Sequence, residues 1–157
     1  MQLKPITAIA VLLLVVASLS IASCTVILPE SQNTPHKVTT KVASSGNLTV
    51  SVQALGERQR FSVGPLISYS AEQGYKLAVY DVSITNLDEP RQGGNTTFFT
   101  LTAGNRTTYQ AAISKLSPQV IGKGGTLSGQ VVFEIPQNTT LKSLTYDDGT
   151  TKIVTTL

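Results

Sequence analysis

The side chains able to do chemistry are few and widely spaced. The chain of 157 residues has one cysteine, Cys24, and one histidine, His36. A single cysteine excludes a disulfide framework and any zinc site built on several thiolates. Its thiol can still act as a nucleophile, and the small residues Ala22 and Ser23 just before it leave room for an enzyme to reach it. His36 lies in a polar stretch with no periodic pattern, so a Ser-His-Asp triad has no fixed serine to work with. Asp147-Asp148-Gly149 offers carboxylates but lacks the EF-hand spacing that calcium needs. A hairpin turn with Gly149 at positive φ explains it better. Gly122-Lys123-Gly124-Gly125 lacks both the Walker A spacing and a following helix, and reads as a loop between strands. Asp81 is a lone carboxylate among apolar residues, facing solvent or placed at a sheet edge. No catalytic residue, metal site or cofactor is expected, and the chain reads as a non-enzyme.

Two residue classes point to contact or modification instead. Asn-x-Thr triplets begin at Asn47, Asn95, Asn105 and Asn138, and each is an acceptor for an N-linked glycan if the host has the machinery. Asn95, Asn105 and Asn138 fall in expected loops, and Asn47 at a strand start. Of the tyrosines, Tyr75, Tyr80, Tyr109 and Tyr146 suit core or strand-face packing. Tyr69, in a turn-like zone, is the candidate for touching a partner, since a rigid ring with a polar tip suits interfaces.

The segment that places all of this is the first. Lys4 supplies a positive start, Ile6 to Ala17 is apolar except for Thr7, and Ser18, Ser20, Ala22 and Ser23 are small. These are the three parts of an export signal. Ile21-Ala22-Ser23-Cys24 resembles the lipobox of bacterial and archaeal lipoproteins. That resemblance implies lipid attachment at Cys24 and cleavage before it, so that the domain sits outside the cytoplasm on the outer face of the cell membrane. Two alternatives stay open. The apolar run continues to Leu28, and Ile6 to Leu28 reaches the roughly 20 residues that cross a bilayer as an uncleaved anchor. The third is full release. The net charge of +3 comes from scattered residues with no basic stripe, so no nucleic-acid partner is expected.

Residues 24–46 are expected to be a lipidated cysteine followed by a flexible stalk, after a signal at 1–23. From Asn47 the pattern becomes that of strands. Leu48, Val50, Val52 and Ala54 alternate with polar residues. Leu77 and Val79 mark one face of a long strand over 75–87, and Tyr80, Val82 and Ile84 the other. That switch predicts either a bulge or a strand covered on both sides. Phe98 to Ala103 turns at Gly104-Asn105 into a strand over 107–113. Leu127, Gly129, Val131, Phe133 and Ile135 define the clearest strand, stopped by Pro136. Strands over 141–146 and 152–157 flank the Asp147-Asp148-Gly149 turn. The expected connections are 88–95 and 114–125, both rich in glycine. No window shows a helical period. The pattern predicts an all-β, immunoglobulin-like antiparallel β-sandwich of about seven strands over 47–157, behind the N-terminal signal or anchor segment.

Tyr80-Asp81-Val82-Ser83-Ile84-Thr85-Asn86-Leu87 and Gly129-Gln130-Val131-Val132-Phe133-Glu134-Ile135-Pro136, with the closing hairpin, resemble an uncharacterised immunoglobulin-like domain of exported prokaryotic lipoproteins. A mycobacterial secreted immunogenic protein is similar to it. The resemblance implies that Asn86 caps a strand end and Phe133 fills the core, and it carries no catalytic residues. The expected function is that of a non-enzymatic surface lipoprotein whose sandwich touches a protein or polysaccharide or serves as an accessory module at the cell envelope. The alternative is a membrane-tethered protein that binds a small solute in a concave apolar pocket.

Overall fold

Two long strands carry the architecture, β5 (Tyr75–Asn86) and β11 (Thr126–Pro136). They pair antiparallel without a break, from Tyr75 opposite Pro136 to Thr85 opposite Thr126. The computed structural model describes residues 39–157. The leader, Cys24, His36 and the stalk up to residue 38 lie outside the described residues.

The remaining strands are β1 (Thr40–Ser45), β2 (Leu48–Arg58), β3 (Arg60–Ser62), β4 (Ser68–Ser70), β6 (Arg91–Gly93), β7 (Phe99–Ala103), β8 (Thr108–Gln110), β9 (Ile113–Ser114), β10 (Gln119–Ile121), β12 (Leu141–Asp147) and β13 (Lys152–Thr156). One main sheet has the order β1-β2-β5-β11-β9, and the other β13-β12-β7-β8. Two small sheets, β10-β6 and β3-β4, sit on this frame. The protein is an all-β, immunoglobulin-like sandwich, as the alternating patterns predict.

The core between the main sheets is filled by inward residues of both. Val50, Val52, Ile84, Phe99, Leu101, Val131, Phe133, Leu144 and Tyr146 are fully buried there. Phe133 meets Tyr80 edge to face at 6.0 Å, and Phe99 meets Tyr146 at 5.5 Å. Each such side chain stabilises the fold by about 1.5–3 kcal/mol through the water it sheds. On β11, Leu127, Val131, Phe133 and Ile135 do point inward together, as the sequence pattern predicts.

The switch at Val79-Tyr80 is explained by cover on both faces. Ala78, Tyr80, Val82 and Ile84 face the main core, while Leu77 and Val79 face outward. There they join Val132 under Phe61 and Tyr69 of the β3-β4 hairpin, which folds back as a flap over the outer face of the sheet. The bulge lies next door in β2, where the register shifts between Ala54 and Gly56 and Gly56 takes φ +95°. The extra residue turns Leu55 toward the flap cluster.

The strands begin earlier than the sequence suggests. Residues 40–45, expected as the last part of the stalk, form the edge strand β1, paired with β2 from Thr40–Gln53 to Ser45–Leu48. Only Ala43 of β1 packs against the core, so the strand has no hydrophobic period to read. Its polar side chains suit the exposed edge of a sheet. The expected connections are also more ordered than loops. Arg91–Gly93 and Gln119–Ile121 pair with each other as β6 and β10. Ser114 belongs to β9, where the chain has crossed from one main sheet to the other between Ala111, bonded to Phe99, and Ala112, bonded to Val132.

The strand directions give the sandwich two distinct ends. The β1-β2 turn, the segments before β6 and after β10, and the β12-β13 turn lie at one, called the cleft end here. The flap root, the β7-β8 turn and the 136–140 turn lie at the other, the flap end. β13 runs from the cleft end and finishes at the flap end. β1 starts opposite Gln53, inside the sheet on the flap side, and runs toward the cleft.

Candidate functional site

The cleft end is assembled around the side chain of Asn86, which is fully buried at the end of β5. Its Nδ2 donates to the carbonyls of Glu89 (2.9 Å), Ile121 (3.0 Å) and Asp88 (3.3 Å), and its Oδ1 accepts from the Asp88 amide (3.2 Å). Its backbone joins in, accepting from Gly124 N at 2.7 Å and donating to Gly125 O at 3.0 Å. One residue therefore ties the 87–89 bend to the 121–125 turn. Two glycines let these segments approach. A Cβ on Gly94 would stand 2.5 Å from the Ser117 carbonyl oxygen, and Gly124 turns the chain at φ +75°.

A second clamp joins this unit to the β12-β13 turn. Arg91 Nε lies 3.2 Å from Asp148 Oδ2, and Arg91 Nη2 donates to Thr151 Oγ1 at 2.9 Å. The Asp148 side chain is only 4% exposed, and its Oδ1 accepts from the Thr150 and Thr151 amides at 2.9 and 2.7 Å. Buried carboxylate oxygens are costly without partners, and these donors supply them. Tyr146 also donates to this carboxylate, at 3.4 Å. Burial, with the neighbouring Asp148 charge adding to it, pushes the Tyr146 hydroxyl well above its ordinary value. Between these clamps lies an open cleft of about 660 Å³, lined by Asn47, Asp88, Glu89, Arg91, Asp148 and Thr151 among others. Its walls are polar and charged, and it can offer carboxylates, amides and hydroxyls to a partner.

The sequence-nominated residues fall as follows. Asn47 sits in the two-residue β1-β2 turn behind Gly46 at φ +57°, the arrangement of a type II′ hairpin, and it lines the cleft. Asn95 is exposed, and its Oδ1 accepts from Thr97 N and Oγ1 as it caps the 3-10 turn at Thr96–Phe98. Asn105 and Asn138 are exposed at the flap end on the rim of one shallow depression, drawn together by Gly104 N donating to Thr140 O at 2.9 Å. In the Asn105 turn the positive φ falls on Arg106, at +70°, rather than on glycine. Asp81 faces solvent from a central strand, not an edge, opposite Gln53 and Gln130. Asp147 and Asp148 serve the hairpin turn by accepting its amides. Among the described residues no group of three or more His, Cys, Asp or Glu is placed to hold a metal.

Tyr69 stands differently from its nomination as a partner contact. Its ring packs into the flap cluster and its hydroxyl donates to Glu134. Glu134 also accepts from the Glu72 amide at 2.7 Å, so it staples both β4 and the return of the flap. The hydrogen bond to Glu134 raises the Tyr69 hydroxyl to about 12, with burial and the Glu134 and Glu72 charges adding to the shift. The large exposed apolar residues of this hairpin are at its tip, Val63, Leu66 and Ile67. The pairing of Arg91 with Asp148 is not marked in the sequence. They are far apart in sequence, and nothing local announces a pair.

Comparison with known proteins fits this geometry. A family model described as a domain of unknown function (DUF4352) matches residues 37–153. The chain belongs to that family. The DUF4352 match covers the whole sandwich except its last residues, and includes β1. Among solved structures, a conserved hypothetical protein from Bacillus anthracis is similar at TM-score 0.51 and 14% identity, over 74% of this chain and 87% of that one. The secreted protein MPT63 from Mycobacterium tuberculosis is similar at TM-score 0.48 and 10% identity, over 72% of this chain and 89% of that one. The Bacillus subtilis "putative lipoprotein (ycdA)" is similar at TM-score 0.49 and 16% identity, over 69% of this chain. The DUF4352 chain spans 34% of the length of that Bacillus subtilis protein. Identities this low speak of fold alone. No curated protein matches the chain.

Two outcomes are expected from the clamps. Asn86→Ala leaves buried carbonyls and an amide without partners, and should cost about 1–3 kcal/mol in chemical unfolding. An unchanged midpoint would show that Asn86 does not hold the cleft end. Tyr69 ionises less readily when folded, so its contribution is fully present below pH 10 and is lost as pH rises through about 12. Tyr69→Phe should cost about 1 kcal/mol or less at neutral pH, since the site is half open to water. It should also remove a phenolate step near pH 12.

Proposed function

We propose that this DUF4352 protein is a non-enzymatic, extracytoplasmic surface protein. It is held at the outer face of the cell membrane through Cys24 and works by contact through its cleft end. The observation that carries the reading is the polarity of the domain. β1 starts on the flap side and runs toward the cleft, while the turns at 46–47, 88–93, 117–125 and 148–151 are clamped together at the other end. A tether leading into β1 therefore leaves the cleft facing outward. Rigid sandwiches commonly carry their contacts on such turns.

The partner is a protein or a polysaccharide of the envelope, met by the carboxylates of Asp88 and Glu89 and by Asn47 at the rim. The carboxylates of Asp147 and Asp148 are taken up by turn amides and Arg91, which suits a role in shape. A second reading, capture of a small polar solute, is favoured by the size of the cleft, which falls in the roughly 300–1,000 Å³ range of ligand sites. The apolar-pocket form of that reading finds the centre of the sandwich filled by Phe99, Phe133 and Tyr146. All four Asn-x-Thr asparagines lie exposed on turns, open to glycan attachment in a host with that machinery.

The test is fractionation and intact mass in the native host, with photo-crosslinking. The protein should sit in membranes with a lipid-modified Cys24 at its start, and Cys24→Ser should lose that modification. Glycans would add hexose steps to the same mass. A photoreactive residue at Val120, exposed near the cleft, should capture envelope components that one at Asn138 does not. A mass that includes Met1, with Cys24→Ser still membrane-bound, would replace the lipid by an uncleaved anchor. Equal capture from both positions would count against the cleft end.

A further inference from the structure

The β3-β4 hairpin ends in Val63-Gly64-Pro65-Leu66-Ile67, a tip with no charged and no polar side chain. Leu66 is 98% exposed, Ile67 67% and Val63 38%. This exposure belongs to a fixed shape. Val63 N and Gly64 N both donate to Ile67 O, at 2.9 and 3.2 Å, and Ser62 Oγ donates to Gly64 O at 2.9 Å. Below the tip, Phe61 is buried against Leu77, Val79 and Val132, and Tyr69 is bonded to Glu134. The hairpin is thus a stapled prong whose base belongs to the core and whose end is bare hydrocarbon.

Two cations stand against the prong. From Arg58 to Ala71 the chain carries two arginines and no acid. Arg60 lies alongside the tip, its Nε donating to Ser68 Oγ at 2.8 Å. Lys115 comes in from the neighbouring segment with its ammonium 4.6 Å from the centre of the Phe61 ring. The nearby carboxylates are engaged or set back. Glu57 pairs with Lys76 at 2.8 Å, Glu134 accepts from Tyr69 and from the Glu72 amide, and Glu72 lies on the return toward β5.

We propose that the 63–67 tip, with Arg60 and Lys115 behind it, inserts into a lipid surface bearing anionic headgroups. The apolar side chains would enter the boundary of the acyl region while the cations meet phosphates, the division of labour that holds surface-bound segments in bilayers. This inference rests on the tethered reading above. A segment from residue 24 to residue 39 reaches at most about 50 Å at about 3.3 Å per residue. The tether and the prong would then hold the sandwich to the surface at two points.

The chain has no tryptophan, so a single introduced one reports its own surroundings. Leu66→Trp is compared with Val154→Trp, which is exposed on the strand β13 and makes no part of the flap. The full chain of each is mixed with vesicles of phosphatidylcholine and phosphatidylglycerol, with and without bromine on the acyl chains. Flotation reports the tether, and emission and bromine quenching report the tip. Both variants should float. The Leu66→Trp emission should shift to the blue and be quenched, placing the indole about 5–10 Å into the boundary, and Val154→Trp should show neither effect. Arg60→Glu and Lys115→Glu in the Leu66→Trp background should weaken the quenching. Flotation of both with Leu66→Trp unshifted overturns the prong and leaves the tether standing. A blue shift without bromine quenching assigns the tip to a second copy of the chain and overturns the lipid. If neither variant floats and neither is quenched, tether and prong fall together.

Discussion

The pairing of β5 with β11 places almost everything else. These strands cross the whole sandwich in one unbroken register, and each is covered on both faces near the flap end. Slipping the register by one residue would send Ile84, Val131 and Phe133 out of the core and Asp81 and Glu134 into it. The flap depends on the same register, because Leu77, Val79 and Val132 must arrive on the outer face side by side for Phe61 to find a seat. Glu134, the residue after Phe133, then stands where Tyr69 can reach it. The inner and outer cores are two sides of one ladder.

The same ladder delivers Asn86 to the cleft end. A buried amide is costly unless its hydrogen-bonding groups are matched, and here the matches come from segments that have no strand of their own to settle them. The 87–89 bend and the 121–125 turn find in Asn86 a substitute for a ladder. Once they are set, β6 and β10 can pair, Arg91 is brought beneath the β12-β13 turn, and Asp148 can be buried with its donors complete. The charge at the bottom of the cleft is therefore a consequence of packing. The charges at its rim, Asp88 and Glu89, are free of that duty.

The long strands were legible because their burial is periodic, and periodicity survives in sequence. Leu127 to Ile135 and Leu48 to Val52 read correctly for that reason. β1 was not legible, since an edge strand buries almost nothing and its hydrogen bonds leave no trace in side-chain types. β6 and β10 looked like loops because their glycines serve close approach, not slack. The cleft clamps were legible only in part. The Asp147-Asp148-Gly149 turn announced itself, but the arginine that makes Asp148 a buried ion came from a distant segment. Tyr69 was singled out for a sound reason, a ring with a polar tip in a turn-like zone, and the structure uses both properties inward. Its neighbours Leu66 and Ile67 carry the exposure that the ring was expected to have.

The central claim is that the cleft end is a preformed rigid surface and not a set of mobile loops. Hydrogen exchange on the full chain tests it most directly. Peptides covering 86–89 and 119–125 should exchange nearly as slowly as those from β5 and β11, because Gly124 and Gly125 amides are bonded within the clamp and Asn86 N is bonded to Gly125 O. Exchange of 119–125 at the rate of an unstructured peptide, with β5 and β11 still protected, would contradict the account and return the cleft end to a set of loops.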